Sequence, residues 1–344
     1  MTRTLAQAIA AHDNDHTVIT RAFQQRTGLD WHAPTRLHVA AGFRLSVIIP
    51  THNNAYSLPA VLDALAAQTA SAEVEVIVVD DASTDATPQL IAEHPAVDVA
   101  LRLPDNVGGP TARNVGAYIA GGDTLVFADA DMVLPSHVLA DIAARTRPDV
   151  VLVGFRHNLA HQLGDDNRPV IPAGEPDLNA DHRVRWNAPA GVPMFYSGQV
   201  YDHAFVGHPL DDTREFIDLG NGRTYHDWDL PRMVVTALVA VPHAAFTAVG
   251  GFHPGFSADG WGCDDTYLGA ALIGHGCKVI PLRQACGWHL DPPDADAAWK
   301  AKFATLPPRV TLLRRLLTQP APTAQGKDLT RRAMALIREA ATLT

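Results

Sequence analysis

Between residues 45 and 155, short apolar runs alternate with segments whose apolar residues recur at helical spacing. The runs lie at 45–49, 74–79 (broken only by Glu75), 97–101, 124–128 and 150–155. Runs this short and this rich in β-branched residues read as strands buried on both faces, as in a parallel sheet. Between them Leu58, Val61, Leu62 and Leu65 recur at i, i+3, i+4 and i+7. Segments 87–92 and 111–120 read as further helices, and Pro135 opens another, running to 144, at its first helical position. This alternation predicts an α/β fold with a doubly wound, mostly parallel sheet. In such sheets ligands bind beyond the carboxyl ends of the strands.

The flanks have a different texture. Residues 1–43 read as an N-terminal helical extension and 292–344 as a C-terminal one, broken at Gln319-Pro320-Ala321-Pro322. The core domain therefore spans 44–291, with a first half at 44–155 and a second at 156–291. Residues 156–230 are rich in His, Asp, Pro and Gly and carry scattered aromatics (Trp186, Phe195, Tyr196, Tyr201, Phe205, Phe216, Tyr225, Trp228). An irregular stretch of that length is either functional or disordered, and its aromatics favour a functional role. Regular structure is expected again at 233–241, in a helix near 264–273 and in a strand at 278–281. Arg314-Arg315 and Arg331-Arg332 read as solvated helix faces.

Composition excludes several classes. With 47% hydrophobic and 19% charged residues the chain can build a core, so global disorder is excluded. Its net charge of −10 argues against a protein that grips nucleic acid or an anionic membrane. Three cysteines without a CxxC pair leave an odd thiol and no disulfide framework, which favours a reducing compartment. The first residues do not form a signal peptide, because the apolar stretch after Arg3 is broken by Gln7 and stops at His12-Asp13. The longest apolar run, 233–241, falls well short of the ~20 residues a span requires. The expectation is a cytoplasmic protein without a transmembrane segment.

Carboxylates gather where the sheet argument places ligands. Asp80-Asp81 follows the run at 74–79, and Asp129-Ala130-Asp131 follows the run at 124–128. Acids crowded at the end of a buried strand repel one another and lose hydration. A hard divalent cation or a network of sugar hydroxyls offsets that cost. Asp85, with Ser83 or Thr84, is explained by capping the next helix. Capping explains Asp129 and Asp131 less well, because Pro135 places the next helix several residues later. A third cluster, Trp261-Gly262-Cys263-Asp264-Asp265, follows Gly250-Gly251-Phe252. An indole plate followed by two acids suits a sugar that stacks on the ring and gives hydroxyl protons to the carboxylates. Helix capping by Asp264 or Asp265 is the alternative there.

Taken in order, Val47-Ile48-Ile49-Pro50-Thr51-His52-Asn53, Val78-Val79-Asp80-Asp81-Ala82-Ser83-Thr84-Asp85, Asn106-Val107-Gly108-Gly109-Pro110-Thr111-Ala112-Arg113-Asn114-Val115-Gly116 and Asp129-Ala130-Asp131 resemble the successive signatures of the family 2 glycosyltransferases of GT-A fold. Val249-Gly250-Gly251-Phe252 and the Trp261–Asp265 cluster are similar to the acceptor-side segment of that family and of the β-1,4-galactosyltransferases. The likeness covers roughly 45–290, and its weight lies in several motifs in one order.

The resemblance implies a soluble, non-processive hexosyltransferase. It would move a sugar from a nucleotide diphosphate sugar, a UDP-sugar first of all, to an acceptor hydroxyl with inversion. Under it, 44–155 is the nucleotide-sugar half and 156–291 the acceptor half. Pro50, Thr51, Asp81, Arg113 and Asp129 would bind the donor, with Asp81 accepting from a uracil N–H. Asp131 and His289 would hold a divalent metal, Mn²⁺ or Mg²⁺. Trp261 and Asp264 would bind the acceptor, and Asp265 would be the catalytic base. The acceptor could be a carbohydrate, a lipid-linked sugar, a peptide or a small molecule.

The chain departs from the family pattern at His52, where Tyr is common, and at Asp264, where Glu is common. His182-Arg183-Val184-Arg185-Trp186 differs in residue and order from the Gln-x-x-Arg-Trp motif of processive membrane synthases. A retaining transferase on the same fold and a non-catalytic binding relic are the alternatives. A sugar-phosphate nucleotidyltransferase is a third, but Pro50-Thr51-His52-Asn53-Asn54 lacks the Gly and Lys of a phosphate loop.

Overall fold

A computed structural model describes residues 3–35, 43–70, 72–178, 229–257, 260–322 and 326–343. Among the described residues nine strands form one sheet in the order β5-β8-β6-β7-β4-β1-β2-β3-β9. They are β1 (Arg44–Thr51), β2 (Glu73–Asp80), β3 (Val99–Arg102), β4 (Thr124–Ala128), β5 (Met132–Val133), β6 (Val150–Leu159), β7 (Leu238–Pro242), β8 (Lys278–Leu290) and β9 (Ala341–Thr342). Strands β1, β2, β3, β4, β6 and β8 point one way, and β5, β7 and β9 run against them. The sheet is thus mostly parallel, as the apolar runs imply.

Alternation along the strands builds two cores. Ile48, Ile77, Val79 and Phe127 face one side, and Leu45, Val47, Ile49, Val76, Val78 and Val126 face the other. Helices α3 (Leu58–Ala66), α4 (Thr87–Glu93) and α6 (Val138–Arg145), with Phe23 of α2 (Thr17–Thr27), cover the second face. The first is covered by α1 (Leu5–Ala10), α5 (Gly109–Ile119), α8 (His243–Ala248), α9 (Asp264–His275), α10 (Ala295–Leu317) and α11 (Gly326–Glu339). The short α7 (Asp229–Met233) packs on α9. A doubly wound sheet follows, because each face carries apolar side chains that only a helical layer can bury.

Several boundaries differ from the sequence reading for local reasons. Helix α6 starts at Val138, not Pro135. The approach is held instead by α3's C-terminal loop: Gln68 Nε2 donates to Pro135 O (2.9 Å), and Leu139 N–H donates to Gln68 Oε1 (3.0 Å). Helix α5 begins two residues earlier than expected, after Gly108. Strand β8 does not stop at Pro281 but runs on to Leu290. At 281 it has β6 on one side only, its other side carrying the Trp31 indole, whose Nε1–H donates to Pro281 O (3.2 Å). A proline is tolerated where no ladder donor is needed. Strand β6 continues to Leu159, so the irregular stretch begins later than 156.

Both flanks are tied to the sheet. Asn14 Nδ2 donates to Val279 O and its Oδ1 accepts from Val279 N–H, each at 2.8 Å. Strand β9 pairs with the edge strand β3. The buried Arg145 donates to Trp31 O and Ala33 O at 2.7 Å and pairs with the equally buried Asp141 at 3.1 Å. No helix among the described residues is long and apolar enough to cross a membrane. Residues 179–228, which include the eight aromatics from Trp186 to Trp228 and His182–Trp186, lie outside the described residues.

Candidate active site

Because six strands point one way, their carboxyl ends share one edge of the sheet, and a cleft of about 1100 Å³ opens there. All ten residues singled out from sequence line it: Pro50, Thr51, Asp81, Arg113, Asp129, Asp131, Trp261, Asp264, Asp265 and His289.

The first loop and the acids after β2 form one wall. His52 Nδ1 lies 2.7 Å from Asp81 O, and Asn53, held at φ +57°, accepts from Thr84 N–H (2.8 Å). Asp80 is wholly buried and structural, accepting from Ser83 N–H and facing Arg102 Nε at 3.6 Å. Asp81 accepts the N–H groups of Val107 (2.7 Å) and Gly108 (2.8 Å). Burial raises its pKa, against the opposing pull of those two N–H donors. Asp85 accepts from Thr87 N–H (3.0 Å) but is not the cap of α4: the N-cap is Ala86, one residue later, and carries no side-chain cap.

Gly108 is required at its position. Its φ is +87°, and a Cβ there would lie 2.5 Å from the carbonyl oxygen of Ser257. Replacing Gly108 with Ala should therefore lower stability by about 1–3 kcal/mol. Urea unfolding of the variant beside the wild type checks it.

The β4–β5 turn and the end of β8 form the second cluster. Antiparallel pairing of β5 with β8 sets Met132 opposite His289. His289 Nε2 then lies 3.3 Å from Asp131 Oδ1. One ligand atom each from Asp129, Asp131 and His289 falls within 4.8 Å of the others. Asp131 Oδ1 and His289 Nδ1 are buried and have no hydrogen-bond partner among the described residues, while Tyr56 Oη donates to Asp131 Oδ2 at 3.4 Å. Two carboxylate oxygens and an imidazole with a buried oxygen lacking a donor fit a hard divalent cation. Burial and the charge of Asp129 raise Asp131 despite the pull of His289. For Asp129 burial also pushes upward, but Arg113 and His289 outweigh it, and its pKa falls.

Arg113, on α5, joins this cluster to the acids of α9. Its Nη2 donates to Asp129 Oδ1 at 2.6 Å, and its Nη1 lies 3.8 Å from Asp264 Oδ2. Cys263, left-handed at φ +67°, starts α9, so Asp264 and Asp265 fall in its first turn. There the helix dipole favours negative charge. Burial and the Asp264 carboxylate nonetheless push Asp265 up to about 7. Burial also raises Asp264, with Arg113 pulling it back. The Cys263 thiol is pushed up to about 12 by burial and both acids, which keeps it neutral and unsuited to nucleophilic work. Trp261, 39% exposed, stands at the mouth.

The cleft also holds residues that the sequence reading passed over. Arg156 and Asn158 line it from the end of β6, and Asn158 pairs in register with His289. They follow the run at 150–155 just as Asp129 follows its own, so the strand-end rule could have found them. Lys302, Leu306, Val310 and Arg314 line it from α10. Arg314 is therefore a cleft residue and not part of a solvated face. No local signal says where a C-terminal helix will dock.

Known proteins are similar to this chain in sequence and in fold. The sequence model described as "Glycosyl transferase family 2" matches residues 46–177. A validoxylamine A glucosyltransferase of Streptomyces hygroscopicus subsp. jinggangensis is 30% identical over 256 residues, 71% of this chain and 54% of that protein. The poly(ribitol-phosphate) beta-N-acetylglucosaminyltransferase TarS of Staphylococcus aureus is 36% identical over 120 residues, 33% of this chain and 21% of that one. Among solved structures, the mannosyltransferase PcManGT from Pyrobaculum calidifontis, in complex with GDP-Man and Mn²⁺, aligns with 96% of this chain and 84% of its own. The TM-score is 0.47 and the identity 19%. The chain spans about half the length of the curated glucosyltransferase it matches. From the matched region, residues 46–177 of the chain form a family 2 glycosyltransferase domain.

Proposed function

We propose that the protein is a metal-dependent, inverting glycosyltransferase that moves a sugar from a nucleotide diphosphate sugar, a UDP-sugar in the first instance, to an acceptor hydroxyl. One observation carries this reading: a cation-ready cluster of Asp129, Asp131 and His289 shares a cleft with Asp265, a carboxylate whose pKa is raised to about 7. A leaving group and a nucleophile need those two aids, one each.

In this reading Pro50, Thr51 and Asp81 receive the base and ribose, and Asp129, Asp131 and His289 hold the divalent ion. When bound, that ion neutralises the diphosphate as a Lewis acid. Arg113 fixes Asp129 and Asp264 relative to each other through its two terminal guanidinium nitrogens. The acceptor stacks on Trp261, and its neighbouring hydroxyls donate to Asp264. Asp265 then takes the proton of the attacking hydroxyl as the new C–O bond forms. The bond to the diphosphate breaks with its electron pair leaving on phosphate oxygen. A single displacement with a single base inverts the anomeric carbon, so an α-linked donor gives a β product.

The base role fixes the pH dependence. Asp265 works only when ionised, and burial beside Asp264 delays its ionisation to about pH 7. Transfer should therefore be slow below that pH and rise to a plateau above it, tenfold per unit on the acid limb. A flat profile between pH 5.5 and 8.5 under saturating donor and metal would count against Asp265.

The function itself is tested by a donor screen. UDP-, GDP- and dTDP-sugars are incubated with the protein and Mn²⁺, Mg²⁺ or EDTA, and nucleoside diphosphate release and binding are followed. Binding of one donor class that requires the metal is expected. Binding of none would remove the donor assignment.

A further inference from the structure

The helix α10 lies well outside the matched family domain at 46–177, yet it is built into the cleft. Arg309, Leu313 and Leu317 are buried, and this i, i+4, i+8 stripe seats the helix on the core. The seat is specific. Trp261 N–H donates to Thr305 Oγ1 (3.0 Å), and Arg309 Nη1 donates to Phe256 O (2.6 Å). A Cβ on Gly260, at φ +133°, would lie 2.6 Å from Arg309 Nε, and one on Gly262, at φ +99°, would lie 2.8 Å from Leu306. Two glycines with backbones that L side chains rarely adopt thus let the helix close down on the Trp261 loop.

A second stripe, Lys302, Leu306, Val310 and Arg314, faces the cleft at the same spacing of four. Its ends are cations, set roughly 18 Å apart by the helical rise, and its middle is apolar. Lys302 lies at the end near the transfer chemistry, with Nζ 5.9 Å from the centroid of the Trp261 ring. It lines the same cleft as Asp131 and His289, and its charge reaches the Asp131 carboxylate, pulling against the burial that raises it.

A divalent ion on Asp129 and Asp131 cancels their charge. The ammonium of Lys302, which now acts on the Asp131 carboxylate, would then act on an anion held beside that cluster. In a donor the group that meets this description is the diphosphate, whose charge grows as the sugar departs.

Resting on the function proposed above, we propose that Lys302 is a further donor-binding residue, contacting the diphosphate and making α10 a working part of the active site. Its charge adds to transition-state stabilisation, because negative charge on the diphosphate is greater there than in the bound donor. Lys302 leaves the face of Trp261 as it does so, which frees the ring for the acceptor sugar.

The test is calorimetric titration of UDP and of uridine into the full chain with Mg²⁺ present, using wild type, Lys302→Gln and Lys302→Arg. GDP and guanosine are run in parallel, and circular dichroism checks that each variant is folded. Lys302→Gln should bind UDP about tenfold more weakly while its affinity for uridine stays within about twofold of wild type. Lys302→Arg keeps the charge and should hold most of the UDP affinity. Unchanged UDP binding in Lys302→Gln overturns the proposal, as does an equal loss for UDP and uridine, which would mean a wall residue without a phosphate role. If wild type binds no nucleoside diphosphate with metal present, the parent reading fails and the role of Lys302 falls with it.

Discussion

Asp265→Asn should bind the donor and metal about as well as wild type and yet transfer the sugar about a thousandfold more slowly. The side chain changes by one atom and keeps its size, so the N–H of Thr266, which Asp265 Oδ1 accepts at 2.7 Å, still finds an amide oxygen. What is lost is a group that can accept a proton. An asparagine is not basic at any pH used for the assay, and the acceptor hydroxyl must then lose its proton to water. The substitution also removes a carboxylate that Asp264 repels, a repulsion that helps raise Asp265 in the wild type. The variant should therefore be no less stable than the parent, which separates a chemical defect from an unfolded protein. Single-turnover rates with donor and metal saturating, beside a thermal melt, decide it. Transfer within tenfold of wild type would require another base.

The second large effect is expected at Asp131. In the free protein it is a raised, largely buried carboxylate with an oxygen that accepts no hydrogen bond among the described residues. Such a group costs free energy unless a cation uses it. Asp131→Ala removes both the cost and the use. Metal affinity should fall by about a hundredfold, and with it the metal-dependent part of donor binding. His289→Ala should fall in the same direction by a smaller factor, since the two carboxylates remain. Stability should not fall in step, because the substitution removes a desolvated charge instead of a packed one. A Mn²⁺ titration followed by electron paramagnetic resonance reads the affinity without any turnover. Wild-type affinity in Asp131→Ala would move the cation elsewhere.

Much of this arrangement was legible in the chain. The β-branched runs reported the sheet because a strand buried on both faces has no room for a polar side chain. The acids at the ends of β2 and β4 reported the cleft because carboxylates gathered at strand ends suit a ligand, although Asp80 among them is structural and faces Arg102. Asp129-Ala130-Asp131 and Trp261-Gly262-Cys263-Asp264-Asp265 lie more than a hundred residues apart. What the linear order withheld was that one side chain, Arg113, would bridge them. It withheld the reach of β8 for a different reason. Pro281 and the polar Arg283 and Gln284 look like a strand end, and only the N-terminal segment lying along that side makes them tolerable. Without that continuation His289 would not stand beside Asp131. The place of α10 was the least legible, since a stripe of Lys302, Leu306, Val310 and Arg314 reads equally well as an exposed face. Its meaning comes from Gly260 and Gly262, which accept the helix on the loop that carries Trp261.

The proposed function requires the acid-and-histidine cluster and the nucleotide cleft to be one site. Titrating UDP into the wild-type protein with Mg²⁺ or Mn²⁺, and again with EDTA, tests it most directly, with Asp131→Ala as the comparison. Binding should be strong with metal and weak with EDTA in the wild type, and weak under both conditions in the variant. UDP affinity that is the same with and without metal in the wild-type protein would contradict it.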